Sequence, residues 1–172
     1  MNKEKIRAYR IISHQFLTLV RIEFPGSFDS PFGGIFEVFK QRNLPLRFLA
    51  SERSLKGEKT LYLGVDLLSE ETVGELIDAL RGIGNRKELA LISQVSMAML
   101  YGPHFGEMPG IFGLTFSAFS GSGIIPLAIS ASSSSLSWLF PSGQFKKALE
   151  ILHGIFEFPK GFSSWEENSD DL

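Results

Sequence analysis

Two periods of apolar recurrence alternate along this 172-residue chain, one of about two residues and one of three to four, and they switch in a fixed order. From Phe16 to Phe24 the run Phe-Leu-Thr-Leu-Val-Arg-Ile-Glu-Phe alternates loosely and is rich in β-formers, which predicts a half-buried strand ended by Pro25-Gly26. Phe32, Ile35, Phe36 and Phe39 then fall at i, i+3, i+4 and i+7. One stripe of this helix faces a sheet while Glu37, Lys40 and Gln41 face water. Arg42-Asn43 breaks the helix, Leu44 to Ser51 reads as a second strand, and Leu55-Lys-Gly-Glu58 is a hairpin into a third, Lys59 to Val65. Ser69 can cap the next helix by accepting from an orphan backbone N–H, and Glu70 and Glu71 suit the positive end of its dipole. That helix carries the stripe Val73, Leu76, Ile77 and Leu80, stops at Gly82 or Gly84, and leads into a short strand, Glu88 to Ile92.

The same order then repeats. Val95 to Tyr101 alternates as a strand, Pro109-Gly110 opens a helix, Leu127 to Ser132 and Leu136 to Leu139 are strands, and Phe145, Ala148, Leu149 and Leu152 share one face of a last helix. Phe36 corresponds to Phe116 and Leu44 to Ile124, both 80 positions on, whereas Val73, Leu76 and Leu80 correspond to Leu149, Leu152 and Phe156, 76 positions on. The difference lies in a shorter second hairpin, where insertions and deletions belong. Two such units predict an α+β fold of two ferredoxin-like βαββαβ units, each an antiparallel sheet with two helices on one face. Residues 12–92 make the first unit and 93–158 the second. Residues 159–172 form an acidic tail. Met97, Met99, Phe48 and Trp138 are assigned to the face away from the helices, which a partner would then have to cover.

Composition narrows the chemistry. With 44% hydrophobic residues, 16 Phe and 21% charged residues the chain has material for a core. A net charge of −2 leaves no excess of cations for nucleic acid or an anionic membrane. The third strands also lack the aromatic-basic signature of RNA-binding sheets. The absence of Cys removes disulfides, thiolate metal sites and a Cys nucleophile, and fits a reducing cytoplasm. Neither a signal peptide nor an apolar run of membrane-spanning length is found, so a cytoplasmic location is expected. His14, His104 and His153 are not spaced as metal ligands, and the serines from Ser130 to Ser137 form no nucleophile elbow. No catalytic residues, no cofactor and no metal are expected.

In the second unit Gly102, Pro109-Gly110-Ile111, Phe116-Ser-Ala118, Gly123-Ile124, Ile129-Ser130-Ala131-Ser132 and Ser137 follow one another in order, and Leu152-His153 and Phe156 continue the run. This resembles the glycine, Pro-Gly-hydrophobic, Phe-x-Ala-Leu, Gly-Ile-Asn-Ile, Ile-Ser-Thr-Ser-Glu and Leu-His-x-x-Phe series of the paired ACT domains at the C-terminus of aspartate kinases. The resemblance covers roughly residues 12–158 and no kinase portion, and it implies that residues 1–14 add a strand to the second unit. Ser133 stands where the family has Glu, Ala131 where it has Thr, and Ser51-Glu52 where it often has Gln-Asn.

The resemblance implies a stand-alone regulatory module, not an enzyme, that binds a free amino acid, of the Lys or Thr class. The matching ligand positions are Asp29, Ser30, Phe32 and Gly33 with Ala50 and Ser51 in the first unit, and Glu107, Met108, Pro109, Gly110 and Ile111 with Ser130 and Ala131 in the second. The physics agrees, because a helix N-terminus presents unpaired N–H groups and partial positive charge to a carboxylate. A homodimer or higher homo-oligomer is expected, with an amino-acid biosynthetic enzyme as a further partner. The alternative reading is an interaction or oligomerisation subunit that regulates a separate enzyme without a ligand of its own.

Overall fold

Alternation carried through Arg10–Phe24 and Glu88–Tyr101 makes two long strands where shorter ones were expected. The computed structural model describes residues 5–25, 32–66, 68–84 and 88–159. In chain order the elements are β1 (Ile6–Arg7), β2 (Arg10–Phe24), α1 (Phe32–Gln41), β3 (Leu46–Arg53), β4 (Lys59–Asp66), α2 (Glu70–Arg81), β5 (Glu88–Tyr101), α3 (Ile111–Gly121), β6 (Ala128–Ala131), β7 (Ser135–Pro141), α4 (Ser142–Ile155) and β8 (Phe156–Glu157). A 3-10 turn, Phe105–Glu107, precedes α3. No helix among the described residues is long and apolar enough to cross a membrane.

The chain forms two compact units, one of Phe16–Gln94 and one that joins the chain through Gln15 to the chain from Val95. Both β2 and β5 pass from one unit into the other. Phe16 (φ 58°) and Gln94 (φ 56°), where they do so, lie in the left-handed region, which costs a non-glycine residue about 1–2 kcal/mol.

In the unit of Phe16–Gln94 the strand order is β3-β4-β2-β5. Antiparallel registers run from Leu17↔Asp66 to Phe24↔Lys59 and from Leu46↔Val65 to Arg53↔Lys59. Strand parity then decides the core: Val20, Ile22 and Phe24 of β2 and Leu61, Leu63 and Val65 of β4 are buried in one cluster with Ile35 and Phe39 of α1 and Leu76 and Leu80 of α2. Both helices therefore cover one face. Ser69 caps α2 by accepting from Thr72 N–H at 3.2 Å, and α1 ends with Leu44 N–H donating to the Phe39 carbonyl across left-handed Asn43.

The other unit repeats the plan with the order β2-β5-β7-β6, its β5–β7 and β6–β7 pairs antiparallel. Ala98 and Leu100 of β5 and Leu136, Trp138 and Phe140 of β7 are buried with Ile111 and Phe119 of α3 and Phe145, Ala148, Leu149 and Leu152 of α4. The fold is thus α+β, with ferredoxin-like strand and helix order in each unit. The start of the chain enters this core: Tyr9 N–H donates to Tyr101, Ala8 is 2% exposed, and Ile6 and Ile11 pack on the cluster. β1 and β8 form a small parallel pair, Ile6↔Phe156 and Arg7↔Glu157, which periodicity does not predict. Beside them Lys5 Nζ donates to the His153 carbonyl at 2.8 Å; burial first, then the Lys5 charge, holds the His153 imidazole below its ordinary pKa.

One expectation fails. Trp138 does not face away from the helices; its ring meets Phe119 edge-on at 5.7 Å in the helix-facing core. It shares parity with Leu136 and Phe140 and pairs with Ala98, not with Met97. Met97 and Phe48, at 2% and 4% exposure, are covered within the chain, so they give no reason for a second copy.

Candidate ligand-binding site

The loop from β5 to α3 is shaped by three residues. Gly102 leaves β5 where any side chain would strike Phe105: a Cβ there would lie 2.2 Å from the Phe105 ring carbon Cζ. Phe105 is fully buried and stacks at a tilt on Phe156, with centroids 6.2 Å apart, so it anchors the 3-10 turn to the core. Gly106 N–H donates to Ser133 and Gly102 N–H to Ser134, which ties the loop to the β6–β7 turn. Gly110 (φ 84°) then reverses the backbone into α3 in a conformation that suits glycine.

No side chain caps α3, in contrast to α2 with Ser69 and two glutamates. Ile111 N–H reaches Met108 and Leu114 N–H donates to Gly110, which leaves the amides of Phe112 and Gly113 to an anion. Glu107, Met108, Pro109, Gly110 and Ile111 line an open cleft of about 410 Å3 at this end, together with Ile6 and Leu114. The cleft is mostly apolar, and among the described residues the Glu107 carboxylate is its one charged side chain. His104 Nδ1 lies 3.4 Å from that carboxylate, and both side chains are well exposed.

Five of the thirteen residues named from the sequence thus share one cleft. Ser130 and Ala131 sit on β6, paired with Ser137 and Leu136, and do not line it. Phe32 and Gly33 open α1; Phe32 is half-buried with its ring 6.2 Å from that of Phe24, and Gly33 is exposed with nothing within 4 Å of where a Cβ would stand. Ala50 and Ser51 lie on β3, paired with Tyr62 and Leu61. Asp29 and Ser30 lie outside the described residues. Sequence reasoning missed Ile6, since a two-residue strand has no period to detect, and Leu114, which lies one turn into α3. No cluster of three or more His, Asp or Glu side chains able to hold a metal ion occurs among the described residues.

No protein-family model matches the chain, and no curated protein matches it. Solved structures do. The regulatory subunit of aspartate kinase from Thermus thermophilus superposes with a TM-score of 0.72 at 16% identity, over 87% of this chain and 99% of that one. Aspartate kinase from Clostridium acetobutylicum gives 0.75 at 15% identity over 90% of this chain, which spans 37% of the enzyme. E. coli aspartokinase III, in complex with lysine and aspartate, gives 0.62 at 16% identity over 90% of this chain and 35% of that one. The fold is that of the regulatory region of aspartate kinases.

Proposed function

We propose that this chain is a regulatory ACT-type module without catalytic activity that binds a free amino acid, of the Lys or Thr class, at the cleft of Glu107–Ile111. The observation that carries this reading is the uncapped start of α3 opening into a small apolar cleft with a carboxylate at its rim. A ligand carboxylate would take the first-turn amides, an aliphatic stem would lie along Met108 and Leu114, and Glu107 would receive a distal ammonium, which favours Lys over Thr. Binding regulates only if its affinity differs between two states of the assembly.

Calorimetric titration with the twenty amino acids, Lys and Thr first, is expected to give saturable heat for one of the Lys or Thr class that is weakened in Glu107→Gln. Glu107→Gln should weaken Lys about tenfold, as loss of a charge-assisted hydrogen bond does. No heat and no thermal shift for any amino acid would reject the reading.

The alternative, a subunit acting through association, draws on a different surface. Between Glu107 and Lys146 the sequence has no charged residue. α3 shows Phe112 and Phe116, one turn apart, each more than a third exposed; Ile125 is 74% exposed, and β6 closes the strand order as an edge. An uncharged apolar helix flank beside an open strand edge suits a second copy, since nothing on it repels itself. Phe116→Glu is expected to lower the self-association constant in sedimentation equilibrium by tenfold or more, by placing an unpaired charge in the contact. A wild-type chain that stays monomeric at every concentration would remove this reading and leave the ligand site standing.

A further inference from the structure

A second cleft, of about 540 Å3, lies on the short strands β1 and β8 and shares no lining residue with the first. Its floor is Ala8, and its walls are Tyr9, Phe158 and Pro103. Each aromatic wall is backed by a second ring: Tyr9 by Tyr101 at 5.5 Å between centroids, and Phe158 by His153 at 5.2 Å. Rings held from behind lose little freedom when a ligand packs in front of them. The volume falls in the range of small-molecule sites.

The parallel register places Arg7 opposite Glu157, so that a cation and an anion stand side by side at the mouth. Arg7 Nε donates to Glu157 Oε1 at 3.1 Å, while the two side chains are 89% and 50% exposed. A pair so open to water is weakly held and exchanges its partners easily. The guanidinium uses only Nε in this bond, which leaves its terminal nitrogens for a carboxylate; Glu157 keeps its second oxygen for an ammonium.

We propose that this cleft binds a flat aromatic zwitterion whose carboxylate and ammonium are as close as in an α-amino acid, the carboxylate on Arg7, the ammonium on Glu157 and the ring against Tyr9 and Phe158. The two charges favour a ligand that carries both, because such a ligand replaces both partners of the ion pair it opens, whereas a ligand with one charge replaces only one. Aromatic bulk is favoured over an aliphatic stem by stacking on walls that are themselves rings. The inference does not rest on the site at Glu107–Ile111, which differs in charge and in shape.

The test is titration of the full chain, followed by amide shifts in NMR spectra, with tryptophan and phenylalanine, then tryptamine and indole-3-propionate as probes lacking one charge. Saturable binding of at least one aromatic amino acid is expected, with shifts at Arg7–Tyr9 and Glu157–Phe158 and about tenfold weaker binding of each one-charge probe. Arg7→Ala and Tyr9→Ala, both exposed positions, should each weaken the amino acid about fivefold or more, whereas Glu107→Gln should leave it unchanged. Absence of saturable binding, equal affinity for the one-charge probes, or shifts confined to Glu107–Ile111 would each overturn the proposal.

Discussion

Removal of the chain through Gln15 is expected to abolish the folded core around Trp138. That segment supplies β1 and Arg10–Gln15 of β2 to the unit completed by the chain from Val95. Without it Ala8, Ile6 and Ile11 leave the cluster, and the carbonyls of Glu157 and Tyr101 lose their partners at Ala8 and Tyr9. The loss exceeds what a domain with a net stability of about 5–15 kcal/mol can absorb. Hydrogen exchange should show the amides of Val95–Tyr101 and Ser135–Phe140 unprotected, with those of Leu61–Val65 still slow. Retained protection in Ser135–Phe140 would show that the strand is dispensable. Ala8→Asp, which puts an unpaired carboxylate at a site 2% exposed, should reproduce the effect in the intact chain.

Gly102→Ala is expected to destabilise the protein by about 2–3 kcal/mol, because the added methyl would have to displace the buried Phe105 ring from a separation of 2.2 Å. For a chain of this length the melting temperature should fall by about 5–10 °C. The effect should be partly rescued in Gly102→Ala/Phe105→Leu, since shortening Phe105 relieves the collision that Ala creates, and such coupling is expected only between residues in contact. Equal melting curves for Gly102→Ala and the parent chain would mean that the loop yields without cost. Displacement of Phe105 also moves Glu107 and Met108, so ligand affinity at the first cleft should fall along with stability.

The helices were legible because their stripes are local. Phe32, Ile35 and Phe39 mark α1, Leu76 and Leu80 mark α2, and the Ser69 cap forms as its hydroxyl and the following N–H groups dictate. Pairing of distant strands was less so. Alternation tells which residues share a face and not which face the helices cover; the parity of Trp138 with Leu136 and Phe140 is what puts it in the helix-facing core. The strand breaks inferred near His14 and Ile92 do not exist, because a left-handed residue within a strand disturbs the alternation as a turn would. At the first cleft the contiguous residues Glu107–Ile111 came together as a loop must, whereas Ser130 and Ala131 depended on how a separate strand approaches it. The second cleft was invisible in the sequence, since it joins the two ends of the described chain across a strand pair of two residues each.

The passage of β2 and β5 from one unit to the other makes the two halves interleaved in sequence. No single backbone cut yields two complete bodies: a break after Gln94 leaves the first piece carrying a strand whose hydrogen-bonding partner is on the second. A chain that folds this way cannot shed one unit and keep the other intact. Each unit is bound to the whole by a strand that crosses its boundary.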